Sequence, residues 1–379
     1  LDGGLQPCIT SGAKAPRGLK SAVRAVSHEA TICATFSDNG EVPIALDATY
    51  SLGRNLSGVG VYSREILHGL ATAHRSEEFQ YCYRPHRFLP SYRESLPPNA
   101  VRRLLIGAPP GDVFHALNQR LDARARRSVT TFHDLFVITA DYSSPDFRAR
   151  FTAQARRAAE LSDAIIAVSR FTASQVESLL HVAADRIRVI PHGVRIPPPS
   201  AIPREKLVLF VGAIQRRKNV ARLVKAFERL PDPWRLALAG APDGFGAAQE
   251  LSAVDQSPRR AAIDVLGYVS AAHLENLYRR ASIFAFPSLD EGFGIPALEA
   301  MAHRVPVVSS NTSAVPEVIA DAALTIDPRD TDALADALIR LANDGELCSD
   351  LIRRGLARAR QFTWESAVEK TWAVYDEII

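Results

Sequence analysis

From Val42 onward, short apolar runs alternate with segments whose apolar residues recur at helical spacing. Val42-Pro-Ile-Ala-Leu-Asp47 reads as a buried strand running straight into a loop. Phe79–Tyr83, Asp112–Ala116, Val129–Phe132, Ala164–Val168 and Ile187–Ile190 continue the series. Apolar strands, each followed by a helix, imply a parallel sheet covered by helices on both faces. The stretch Arg195–Arg204 then carries Pro197, Pro198, Pro199 and Pro203, which makes a stiff extended connection and marks a domain boundary. Beyond it the pattern restarts with Leu207–Val211, Arg235–Ala239, Asp264–Leu266, Ile283–Phe286 and Val305–Ser309.

The expected fold is α/β, with two Rossmann-like doubly wound domains facing a cleft, residues 42–196 and 204–362, and a closing segment 363–379 with apolar residues at helical spacing. In such sheets ligands bind beyond the carboxyl ends of the strands, so the cleft is the expected active site. Residues 1–41 show no sustained period and begin with Leu in a chain whose single methionine is Met301. They read as a disordered extension, an over-long reading frame or an expression remnant, dispensable for fold and activity.

The length of 379 residues suits two domains, and 47% hydrophobic with 23% charged residues is the balance of a soluble globular protein. A disordered tail, a collagen-like repeat and a disulfide miniprotein are excluded. Cys8, Cys33, Cys82 and Cys348 lie far apart without ligand spacing, which suggests neither a zinc site nor a disulfide framework. No apolar run reaches the roughly 18 to 20 residues of a membrane span, and the N-terminus lacks signal-peptide character. A cytoplasmic protein, soluble or at most peripheral, is expected. Residues 1–200 hold 24 Lys and Arg against 18 Asp and Glu, and the rest hold 21 against 24, so the positive charge sits in the first half. It gathers in Arg84–Arg103, Arg120–Arg127 and Arg148–Arg157. Such a face attracts phosphates or anionic lipid, or is simply solvated; it lacks the interleaved aromatics of a nucleic-acid site.

The most informative stretch is Pro287-Ser-Leu-Asp-Glu-Gly-Phe-Gly-Ile-Pro-Ala-Leu-Glu-Ala-Met-Ala302. It leaves a strand, passes Gly292 and Gly294, and enters a helix whose Pro296 suits the first turn. Free amides at that helix start form an anion site, and glycine lets a diphosphate approach. Glu291 and Glu299 are placed to accept hydrogen bonds from hydroxyls at opposite ends of a nucleotide sugar. Taken singly, the glycines are turn punctuation and a helical glutamate is a solvated side chain; the combination is what carries the reading.

With its two glutamates separated by seven residues, the chain resembles the retaining glycosyltransferases of family 4, whose two-Rossmann-domain architecture is called GT-B. Gly58-Val-Gly-Val-Tyr-Ser-Arg-Glu65, Thr130-Thr-Phe-His-Asp134, Ala167-Val-Ser-Arg-Phe171, Ile190-Pro-His-Gly-Val194 and Phe210-Val-Gly-Ala-Ile-Gln-Arg-Arg-Lys-Asn219 match as well. The match runs from Val42 to the C-terminus and omits residues 1–41. It implies an N-terminal acceptor domain, a C-terminal nucleotide-sugar donor domain and a terminal helix crossing back to the first domain, with its tryptophans as packing residues. By resemblance, Glu299 binds the donor ribose and Glu291 the transferred sugar, with Gly292, Phe293 and Gly294 lining the donor site. Arg217 and Lys218 neutralise the diphosphate as negative charge builds on it. Ala213 departs from the family, which often has arginine there, and Arg216 and Arg217 stand nearby to compensate. Gly58 and Gly60 lie against the donor phosphates or the acceptor, and His133 sits near the reacting sugar. Asp134 orients that imidazole or caps the next segment, and His115 and Asn118 touch the acceptor. His192, in a hinge position where the family often has Asn, is structural. The Asn55 and Asn311 sequons are incidental.

The implied activity is metal-independent, retaining transfer of a hexose from a nucleotide diphosphate donor to a hydroxyl of a glycan or polyprenyl-diphosphate-linked acceptor, with no cofactor and no Asp-x-Asp motif needed. Resemblance suggests mannose from GDP-mannose, and peripheral contact with anionic lipid at the inner face of the cell membrane. A nucleotide-sugar epimerase of the same architecture and an inactive glycan-binding protein are the alternatives. A nicotinamide dehydrogenase fits poorly, because no complete Gly-x-Gly-x-x-Gly follows Leu46.

Overall fold

A computed structural model of the chain describes residues 43–53 and 55–379. The expectations for residues 1–41, including Cys8 and Cys33, and for Val42 as the start of the first strand lie outside the described residues. The first sheet is wholly parallel, with β1 Ile44–Asp47, β2 Phe79–Tyr83, β3 Ala100–Leu104, β4 Val113–Ala116, β5 Arg127–Phe132, β6 Ala164–Ala167 and β7 Ile187–Val189 in the order β3-β2-β1-β4-β5-β6-β7. The second is also parallel: β8 Glu205–Val211, β9 Arg235–Ala239, β10 Ile263–Gly267, β11 Ala281–Phe286, β12 Val307–Ser310 and β13 Leu324–Ile326, ordered β10-β9-β8-β11-β12-β13. Two strands escape the sequence reading. β3 (Ala-Val-Arg-Arg-Leu) is an edge strand with two arginines, and β13 spans three residues.

Both sheets have a core on each face. One side of the first gathers Leu46, Tyr62, Ile66, Leu70 and Phe79, and the other Phe114, Phe132, Ala158 and Ile165. Helices begin where a side chain can accept a first-turn N–H: Ser57, Ser144, Ser169, Ser270, Asp330, Asp344 and Thr363 all do so. The Trp364–Ile378 helix packs in the first sheet's core through Trp364, Val368 and Tyr375, although it follows the second sheet in sequence. The chain crosses at Gly193, where a Cβ would stand 2.3 Å from the Trp364 nitrogen; only glycine permits that approach. Val194 N donates to Phe362 O (3.0 Å) at the same crossing. No helix among the described residues is long and apolar enough to cross a membrane.

Candidate active site

Strand order reverses in the second sheet between β8 and β11, and the carboxyl ends of these two neighbours open the crevice where such sheets bind ligands. After β8 the chain passes Gly212 and makes a tight turn over Arg216–Lys218. After β11 it runs through Pro287–Gly294 into the Ile295–Ala302 helix. The two loops meet in a charge cluster. Lys218 Nζ donates to Glu291 Oε1 (2.5 Å), and Arg217 Nη1 lies 2.8 Å from Glu291 Oε2. Arg217 Nη1 also donates to Asp290 O (2.5 Å), and its guanidinium covers the Phe136 ring at 4.1 Å.

All three charged side chains are at least nine-tenths buried. Burial alone would raise the Glu291 carboxyl, but Arg217 and Lys218 overcome it and hold the group at about 2. Burial lowers the affinity of Lys218 for its proton, opposed by Glu291. Asp134 and Asp290 also face these cations, and burial raises their carboxyls to about 7 and about 6, so Arg217 and Lys218 stand in a dry place where a fixed charge acts most strongly on a diphosphate.

One helical turn on, Glu299 accepts from Tyr278 Oη (2.9 Å), and burial raises its carboxyl to about 7 against the pull of that hydroxyl. At the helix start Gly294 adopts φ 107°, Pro296 has no N–H, and the N–H groups of Phe293, Gly294 and Ile295 have no backbone partner among the described residues. An anion would find its donors there.

The first domain meets this loop directly. A Cβ on Gly292 would stand 1.8 Å from His133 O, and the Gly292 carbonyl accepts from Ser169 Oγ (2.7 Å) and Thr172 Oγ1 (3.1 Å). The Ala167–Phe171 motif is thereby explained as a domain contact, reinforced by the Glu317 carboxylate on the Arg170 and Phe171 amides. His133 Nε2 pairs with Leu117 O (3.0 Å), and burial brings the imidazole to about 4, so the ring is neutral. The ring stacks on His192 at 5.4 Å, with Tyr62 edge-on to both. His192, expected as structural, is buried in this stack. Asp134 makes no hydrogen bond to the imidazole, and Leu135 holds the N-cap position of the next helical turn; burial raises its carboxyl to about 7.

Gly58 lies 3.9 Å, measured from its would-be Cβ, from Ile295 Cδ1 at the rim of the cleft. Gly60 does not serve a ligand in this way: its missing side chain makes room for Tyr50 O and Leu56, and its N–H goes to Ser57 Oγ (3.3 Å). Phe293 is likewise corrected, its ring being buried against His192 and Phe362, so that only its backbone faces the donor loop. His115 is fully buried with both ring nitrogens engaged, Nδ1 with Tyr375 Oη (2.6 Å) and Nε2 with Thr131 Oγ1 (2.8 Å), and cannot touch an acceptor. Asn118 Oδ1 accepts from Arg120 N (3.0 Å) and shapes its own turn.

Three supporting residues escape the sequence reading. Asn219, at φ 61°, ties the two loops by donating to Pro287 O (3.0 Å) and Pro328 O (2.7 Å). Ser313 Oγ accepts from Glu291 N (2.9 Å), which gives the Asn311 sequon a structural use, and Tyr278 sets Glu299. Asn219 stands in the Phe210–Asn219 motif and Ser313 in the Asn311 sequon, neither of which points to these contacts, and Tyr278 carries no local signal.

Both halves of the chain match known protein families. Residues 56–196 match the model "Glycosyltransferase Family 4", and residues 195–358 match "Glycosyl transferases group 1". The O-antigen chain mannosyltransferase B of Escherichia coli is 33% identical over 280 residues, covering 69% of this chain and 74% of that protein. Among solved structures, sucrose-phosphate synthase from Thermosynechococcus elongatus superposes with a TM-score of 0.71 at 21% identity, covering 89% of this chain and 99% of its own. HepE of Anabaena in complex with UDP-glucose gives 0.68 at 16%, covering 89% and 100%. These two likenesses show the fold, the GT-B pair of Rossmann-like domains. The relatives favour neither the epimerase nor the inactive binding protein.

Proposed function

We propose the following reaction for this chain, which belongs to the family 4 glycosyltransferases: transfer of mannose, with retention at the anomeric carbon and without a metal ion, from GDP-mannose to a hydroxyl of a lipid-linked envelope glycan. The observation that carries the reading is the buried Arg217–Lys218–Glu291 cluster at the β8/β11 switch point. The diphosphate lies against Arg217, Lys218 and the amides opening the Ile295–Ala302 helix, so that charge growing on the leaving group meets fixed positive groups. Glu291 then exchanges part of its ion pairing for hydroxyls of the sugar, and Glu299 receives the ribose hydroxyls. Incoming hydroxyl and departing diphosphate share one face of an oxocarbenium-like sugar. His133, neutral and fixed by Leu117 O, borders that space.

Mannose is supported by the Escherichia coli mannosyltransferase relative. Metal independence rests on Arg217 and Lys218 supplying the positive charge at the diphosphate. The acceptor is carried on a polyprenyl diphosphate, which brings the protein into peripheral contact with an anionic membrane. Calorimetry with GDP-mannose, UDP-glucose and UDP-N-acetylglucosamine tests the donor; a preference for either uridine nucleotide overturns that part. Turnover in excess EDTA tests metal independence, and the anomeric coupling of the product by NMR tests retention.

A further inference from the structure

The proposed reaction sets His133 beside the sugar, and the surroundings of that imidazole show what holds it there. Its Nε2 meets Leu117 O (3.0 Å), a carbonyl that can only accept, so the ring proton sits on Nε2. Nδ1 is left as a bare acceptor with no partner among the described residues. That one hydrogen bond fixes one atom; the plane of the ring is set by its neighbours. The ring centroids of His133, His192 and Tyr62 form a nearly equilateral triangle, 5.4 Å between the histidines and 4.8 and 5.0 Å from each to the tyrosine. The two imidazoles are almost parallel, at 9°, and the Tyr62 ring stands at 80° to His133 and 71° to His192. Tyr62 is therefore a wall shared by both, and Trp364 backs it at 6.4 Å.

The wall is itself anchored. Thr131 lies near the end of β5, and His133 follows two positions later, so the two side chains leave the same face. Tyr62, in the first turns of the Gly58–Ala73 helix, meets both: its ring meets His133 and its hydroxyl meets Thr131 Oγ1 (3.0 Å). Thr131 Oγ1 is joined in turn to His115 Nε2 (2.8 Å), and His115 Nδ1 to Tyr375 Oη (2.6 Å). All four side chains are fully buried. A phenylalanine at 62 would fill the same apolar space. The hydroxyl adds a fixed end point, and it obliges every further polar group of the chain to find a partner in a dry interior.

We propose that Tyr62 is a positioning residue for the reaction: its ring, pinned at the hydroxyl by Thr131 and His115, fixes the plane of the His133 imidazole, so that Nδ1 points in one direction into the cleft. Tyr62 acts through His133 and touches no reacting atom. The inference rests on the reading that His133 borders the sugar. A misplacement of about 1 Å in such a group can lower a rate about a hundredfold, which is the use of a wall that cannot turn.

The test uses the full chain with isotope-labelled histidine, the His133 signal being assigned by its loss in His133→Asn. NMR of the unaltered chain shows one neutral tautomer, protonated at Nε2. Thr131→Val is close in shape and removes the anchor. In it the His133 signal broadens or shows both tautomers, and kcat for hydrolysis of GDP-mannose falls by about 10- to 100-fold. GDP, which has no sugar, binds within about twofold of its affinity for the unaltered chain, because the groups set against the diphosphate belong to the second domain. Tyr62→Phe, the milder change, acts in the same direction, and Thr131→Ser restores both signal and turnover. Ile165→Val, in the core on the other face of the sheet, lowers the melting temperature and leaves both readouts in place. An unchanged His133 signal or an unchanged kcat in Thr131→Val and Tyr62→Phe overturns the proposal. So does a loss of turnover that Ile165→Val reproduces or that Thr131→Ser leaves unrepaired. An unaltered chain that neither binds GDP nor hydrolyses GDP-mannose counts against the donor reading instead, and the NMR comparison, which needs no nucleotide, then decides the role of Tyr62.

Discussion

At the scale of single residues, the site sets two carboxylates in opposite conditions. Glu291 is held at about 2 by its cations, whereas Glu299, with only the Tyr278 hydroxyl as partner, is lifted by burial to about 7. A carboxyl whose folded value exceeds the unfolded one favours folding below the unfolded value of about 4.5, and that contribution is lost as pH rises through 7. Donor binding runs the other way, because ribose hydroxyls need the ionised form. Affinity for the donor should therefore rise between about pH 6 and about pH 8, by up to tenfold per unit on the acid side. Glu299→Gln should bind about 1.5 to 3 kcal/mol more weakly, without that slope. A variant that keeps the slope would show that another group titrates. Lys218→Ala makes a separate demand: turnover at saturating donor should fall, and the fold should lose about 3 kcal/mol from the broken buried pair, read by chemical denaturation. An effect confined to KM would reduce Lys218 to a binding group. The ionic members of this site were legible because they stand in one motif and one Arg-Arg-Lys run. His115 misled for the same reason that Tyr278 stayed hidden: the partners that decide their roles, Tyr375 and Glu299, lie 260 and 21 positions away.

At the scale of elements, most of the apolar strands could be read because they are buried on both faces and leave no polar alternation to confuse the pattern, as in β1, β4, β6 and β12. The edge strand β3 and the three-residue β13 lack that signal. The loop after β11 shows what motif reading leaves open. Gly292 fits the donor motif, yet its missing side chain is filled by the backbone of His133, and its carbonyl is held by Ser169 and Thr172. Gly292→Ala should force the two domains apart at this contact. Small-angle scattering would then record a larger radius of gyration. The turnover number should fall more than donor affinity, because the donor groups all belong to the second domain while His133 belongs to the first. Unchanged scattering and turnover would mean that the loop relaxes locally.

At the scale of the whole molecule, the last helix belongs to the first domain in space and to the second in sequence. It closes the first domain's core with Trp364, Ala367, Val368, Val374 and Tyr375, and crosses the Gly58–Ala73 helix so closely that a Cβ on Gly69 would stand 2.3 Å from Val368 Cγ2. Its first residue lies 6.0 Å, ring to ring, from His192, which stacks on His133. Hinge, helix and cleft floor are thus one packed unit. Each large apolar side chain is worth about 1.5 to 3 kcal/mol when fully buried, and a domain has about 5 to 15 kcal/mol in total. Ending the chain after Gln361 should therefore abolish cooperative unfolding of the first domain. Tyr375→Phe is the milder probe. It deprives buried His115 Nδ1 of its partner and should cost about 1 to 3 kcal/mol in denaturant titration, with donor affinity unchanged because the lesion is far from the second sheet. A truncated chain that still melted cooperatively at the full-length temperature would show that the first domain folds without this helix, and that the crossing couples the domains without stabilising either.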